Sequence, residues 1–124
     1  MIVLAPISVG ELIDKITILE IKLDMITDQT KLTNVNSELK SLTDIRQQLN
    51  LPDIGNLEHQ LKDINRELWD IEDFKRAMEK EKNFNEGFIS AARWVYLKND
   101  LRAGIKKQIN IICGSDIIEE KSYS

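Results

Sequence analysis

The chain has 124 residues, 42% of them hydrophobic and 31% charged, with a net charge of −4 at pH 7. That is enough chain to bury a core without staples, and it is too apolar for disorder. The acidic balance argues against a nucleic-acid footprint, and the single Cys113 rules out an internal disulfide and fits a reducing compartment.

Met1 to Ile7 is β-branched, contains Pro6 and is expected to be extended. It has no basic start and Glu11 follows shortly, so it does not read as a secretory signal. No uncharged apolar run reaches the length of a membrane span, so no membrane insertion and a cytoplasmic location are expected.

Ser8-Val9-Gly10-Glu11 fits a capping box, which opens a first helix over 9–27. A second helix is predicted over 31–50 on the apolar set Leu32, Val35, Leu39, Leu42, Ile45 and Leu49. Pro52 and Gly55 break it. A third runs over 57–82 with Leu57, Leu61, Ile64, Leu68, Ile71 and Met78 stepping by four and three. The fourth spans 88–113, with Gly114 as the natural residue to end it. The tail from Ser115 is expected to be extended or irregular. Short links make consecutive helices antiparallel neighbours, so the fold class is an all-α antiparallel bundle of about four helices in one domain, 1–124. Ile2-Val3-Leu4 and Ile117-Ile118 are candidates to pair as a small two-stranded ribbon.

Helix 1 carries two apolar stripes: Leu12, Ile16, Leu19, Leu23 and Ile26 on one side, and Ile18, Ile21 and Met25 well round the cylinder. Two readings follow: a helix touching two neighbours in the bundle, or a homodimer through the second stripe. Asp14 falls inside that second stripe and is expected as an exposed carboxylate at the helix start. Buried, it would need a cation or several donors. On helix 4, Trp94, Leu97, Leu101, Ile105 and Ile112 form a stripe expected to be core. Trp69 on helix 3 instead projects among Asn65, Glu72, Asp73 and Arg76, so it is either covered by the chain or serves as a recognition anchor.

Between Ala91 and Ile112 five basic residues (Arg93, Lys98, Arg102, Lys106, Lys107) stand against Asp100. Between Val9 and Asp28 two lysines (Lys15, Lys22) stand against five acids. Either helices 1 and 4 lie side by side and complement each other, or helix 4 offers a small anion site.

Catalytic constellations are sparse. His59 has no His or Cys partner at metal spacing, Cys113 has no identifiable base, and the glycines are scattered rather than clustered in a phosphate loop. Glu11-x-x-Asp14 and Glu67-x-x-Asp70 could together hold Mg²⁺ between helices, as in helical nucleotide pyrophosphohydrolases. No other cofactor is expected.

Four segments in order carry a family resemblance: Ile7 to Lys22 (ISVGELIDKITILEIK), Asn65 to Asp73 (NRELWDIED), Val95 to Asp100 (VYLKND) and Glu119 to Tyr123 (EEKSY). Nearly the whole chain resembles a small helical family catalogued only as a domain of unknown function. The resemblance implies a stand-alone bacterial or phage protein, or an appendage to glycosyltransferases or repeat proteins, and hence surface-polysaccharide biology by association. It also directs attention to Trp69, Asn99, Asp100 and the Glu-Lys-Ser-Tyr tail, and the tail, lying outside any helix, is expected to dock back onto the bundle near Trp69.

The expected function is a non-enzymatic helical binding or scaffold domain, self-associating or meeting a partner protein, with no nucleic acid. The candidate binding surface is Asn65, Trp69, Glu72, Arg76, Arg93, Tyr96, Asn99, Asp100, Lys121 and Tyr123. The alternative is a Mg²⁺-dependent hydrolase of a nucleotide or phosphorylated sugar.

Overall fold

The computed structural model of the chain describes residues 1–122 and consists of four α-helices: α1 Val9–Met25, α2 Gln29–Gln48, α3 Gly55–Lys80 and α4 Glu86–Cys113. The local chemistry that starts and stops them is largely that read from the sequence. Ser8 caps α1, its hydroxyl accepting from the Glu11 N–H at 3.0 Å. Asp28 caps α2 and Asn85 caps α4 in the same way. Asp53 Oδ1 accepts from the Gly55 N–H at the start of α3. Gly114 ends α4 with φ 64°, and the Ser115 N–H returns to the Asn110 carbonyl at 2.8 Å.

α1 is the hub: it packs on α2, α3 and α4, while α3 and α4 form a long hairpin beside it. Among the described residues α2 packs on α1 alone, and its link to α3 is the ion pair of Arg46 with Glu58. Both stripes of α1 are therefore used within one chain. Leu12, Ile16 and Leu19 are buried on the side away from the hairpin, whereas Ile13, Asp14, Thr17 and Ile21 are buried on the rest of the cylinder. The main apolar cluster joins Ile13 to Ile54, Leu61, Ile105 and Ile109, flanked by Val9, Leu51, Leu57, Ile64 and Cys113.

Three expectations are corrected. First, α4 is rotated relative to its expected facing. Only Ile105 of the stripe Trp94, Leu97, Leu101, Ile105 and Ile112 is buried, and the inward strip is Ala91, Ile105 and Ile109. Arg102 and Lys106, which lie on the α1 side of α4, pair with the acids of α1 and fix that rotation. Second, Asp14 is buried rather than exposed. Third, no strand forms among the described residues. Met1 to Leu4 stay exposed, and the tail instead lies along α4 through Glu119–Asn110, Glu120–Lys107 and Lys121–Asp100. A two-stranded ribbon without a third partner has little to hold it together.

α1 and α4 approach closely at Gly10, whose N–H donates to Asn110 Oδ1 at 2.6 Å. A Cβ added there would stand 2.6 Å from the Lys106 carbonyl oxygen and 2.9 Å from Asn110 Oδ1. Backbone cannot yield as a side chain can. Gly10→Ala, ordinarily favourable within a helix, is expected to destabilise the fold by about 1–3 kcal/mol in chemical denaturation, as other overpacked contacts do.

Candidate functional site

One turn beyond Gly10, α1 presents Asp14 towards the hairpin, with its side chain 1% exposed. Arg102 of α4 grips it in a two-pronged contact: Nε donates to Oδ1 at 3.0 Å and Nη2 donates to Oδ2. Asn65 of α3 donates from Nδ2 to Asp14 Oδ1 at 2.7 Å and to Thr17 Oγ1 at 2.9 Å. The Thr17 hydroxyl in turn donates to the Asp14 carbonyl at 2.8 Å. Lys106 Nζ lies 3.4 Å from Asp14 Oδ2 and 2.6 Å from Glu11 Oε2. Thus the carboxylate of α1 stays ionised in the interior because two further helices, α3 and α4, supply its donors.

The electrostatics follow from that geometry. Burial pushes the Asp14 carboxyl up, but the hydrogen bonds from Arg102 and Asn65 and the charges of Arg102 and Lys106 outweigh it and leave the group below the ordinary carboxylate range. The bond to Asp14 raises Arg102 in return, against its own desolvation. At the far end of the contact, burial pushes Glu119 up, while hydrogen bonds from Ser8, its own backbone and Asn110 bring it below its usual value. Burial also raises the Cys113 thiol, so it is a poor nucleophile near neutral pH.

Beside the Asp14 network lies a cleft of about 480 Å³, lined by Ile18, Asn65, Leu68, Trp69, Glu72, Asp73, Arg76 and Arg102. Four of the residues singled out by sequence, Asn65, Trp69, Glu72 and Arg76, meet here on one face of α3. Trp69 is half-buried. Arg102 and Ile18 complete the cleft and were not among the candidates. The signals for Arg102 were the acid inside an apolar stripe of α1 and the excess of cations on α4.

The other candidates lie elsewhere. Arg93 and Tyr96 are exposed on α4. Asn99 Oδ1 accepts from Arg102 Nη1 at 3.4 Å, and the Asn99 carbonyl and Asp100 receive Lys121 of the tail. The described tail thus docks on α4 rather than near Trp69, because its glutamates and lysine find partners in Lys107 and Asp100. Tyr123 lies outside the described residues. Of the carboxylates considered for Mg²⁺, Glu11 pairs with Lys106 and Lys15, Asp14 with Arg102, Glu67 with Lys98 at 2.6 Å and Asp70 with Arg66 at 3.5 Å. Among the described residues no three His, Cys, Asp or Glu side chains are grouped to hold a metal ion, and no helix is long and apolar enough to cross a membrane.

The model of a family of unknown function, DUF6165, matches residues 3–124, and the chain belongs to that family. No curated protein matches the chain, and no solved structure does.

Asp14→Ala strands Arg102 with half its partners missing, and a loss of about 3–5 kcal/mol in chemical denaturation is expected, as for other broken buried pairs. The native pKa of Asp14 lies below its unfolded value, so its contribution is full above the unfolded pKa of about 4 and is lost as pH falls through the native one. Stability measured against pH should therefore fall at the acid end for the natural chain, and less steeply for Asp14→Asn.

Proposed function

We propose that this DUF6165 chain is a non-enzymatic helical binding domain that takes a neutral saccharide in the cleft around Trp69. The observation that carries the reading is the composition of that cleft. Trp69, Leu68 and Ile18 supply apolar surface, and Asn65, Arg76, Arg102, Glu72 and Asp73 surround it with donors and acceptors. A pyranose ring has the matching character, apolar C–H groups on its faces and hydroxyls round its rim, and the two-ended hydroxyl suits carboxylate and guanidinium alike.

Charge supports a neutral ligand over an anion. Arg102 is already balanced by Asp14, and Arg76 sits beside Glu72 and Asp73, so the cleft has no net positive charge to draw phosphate. The volume is in the usual range for a small-molecule site and suits one or two sugar rings. The association with surface polysaccharide that the family resemblance implies points the same way. Self-association, in this reading, belongs to a different surface.

The test is a titration of the ¹⁵N-labelled chain with glucose, galactose, N-acetylglucosamine and their disaccharides, followed by amide and indole chemical shifts, with Mg²⁺-ATP as a parallel arm. Shifts clustered at Trp69, Asn65 and Arg76 are expected for at least one sugar. Trp69→Ala should weaken that binding by about tenfold, the loss of one stacking contact worth roughly 1.4 kcal/mol. Shifts with Mg²⁺-ATP alone, or no sugar-induced shift at millimolar concentration, would overturn the proposal.

A further inference from the structure

α4 is apolar on two sides. Its inward strip is accounted for by α1 and α3, but Trp94, Leu97, Leu101, Ile111 and Ile112 are 50%, 39%, 55%, 62% and 51% exposed. At 100° per residue these five fall within an arc of about 100°, with Gly104 inside it. They span roughly 27 Å along the helix at 1.5 Å per residue. The arc borders the tail, which pairs with Asp100 and Lys107 of α4 and shares a groove with Gly104, and it is clear of α1, which contacts α4 through Arg102, Lys106 and Asn110. The apolar stripe of an amphipathic helix ordinarily faces a partner rather than water.

The chain also exposes too much surface for its size. A compact 14.3 kDa monomer presents about 6,800 Å² by the usual scaling, whereas this chain presents 8571 Å². The extended Met1–Ile7 segment accounts for part of the difference and the uncovered side of α4 for another part. Standard interfaces cover about 800 Å² on each partner, which this excess can supply.

We infer that the outward strip of α4 is the seam of a homodimer in which α4 packs antiparallel on α4 of a second copy across a two-fold axis near Gly104. The strip is self-complementary about that point. Trp94, Leu97 and Leu101 lie on one side and Ile111 and Ile112 on the other, so a copy turned end for end lays each group on the other's counterpart. Gly104 is the one residue at the crossing that lets the two backbones come close, and a Cβ there meets nothing within 4 Å inside the chain. On the flank, Asp100 stands four residues before Gly104 and Lys107 three after it, so each comes to within about one residue's rise of the opposite charge in the second copy. The ion pairs both make with the tail are exposed and can be shared. A two-fold pairing thus needs no surface beyond this one and leaves no like charges opposed on that flank.

Sedimentation velocity of the full chain, from micromolar to millimolar, should show a reversible dimer. Leu101→Glu should weaken it by more than tenfold with the circular dichroism spectrum unchanged, and Trp69→Ala should leave it intact. In a Cys113→Ala background, Gly104→Cys should form a covalent dimer on mild oxidation, since only a residue at the axis meets its own copy within disulfide reach. Lys31→Cys, on α2, should not. A monomer throughout the concentration range would overturn the inference. So would a dimer indifferent to Leu101→Glu, or one that cross-links as readily from Lys31→Cys as from Gly104→Cys.

Discussion

The structure turns on one ionised carboxylate in the interior. Asp14 leaves water entirely, and an unpaired charge there would cost far more than a domain of this size can spare. Arg102 from α4 and Asn65 from α3 resolve the problem together, so the charge that threatens the core also specifies how three helices meet. A well-packed apolar replacement could be as stable as the ion pair, but leucines and isoleucines tolerate sliding and rotation that a two-pronged guanidinium contact does not. Gly10 and Asn110, one turn away, add a second fixed point on the same two helices.

The rotation of α4 follows from this. With Arg102 and Lys106 drawn to α1, the cylinder cannot also turn Trp94, Leu97 and Leu101 inward. The same anchoring shapes the cleft, because the Arg102 held by Asp14 is one of its walls, with Ile18, Trp69 and Arg76 among the others. Core, cleft and exposed seam are three results of one set of charge pairs.

Much of the fold was legible in the sequence, and the reasons are local. Each helix boundary expected from caps, breakers and apolar spacing falls within two residues of the one observed. Ser8 and Gly114 do the jobs their residue types suit them for. The complementary charges of helices 1 and 4 announced their pairing. The facing of α4 was not legible, because periodicity reveals an apolar arc without saying which partner covers it, and α4 has two such arcs. The site was legible in part for the same reason. Asn65, Trp69, Glu72 and Arg76 share a face of one helix, which spacing alone can show. That Arg102 joins them depends on a contact between residues 88 positions apart.

The attachment of α2 has its own consequence. Three helices share the interior, but α2 leans on α1 alone, with Val35 its one buried apolar residue and Arg46 its outward tie to Glu58. Such an element can peel away while the Asp14 contacts remain intact, so it constitutes the weakest cooperative unit of the molecule. Its amides should be the first among the helices to exchange with solvent, and its departure would bare Leu12, Ile16 and Leu19, a greasy flank that the folded chain otherwise never shows.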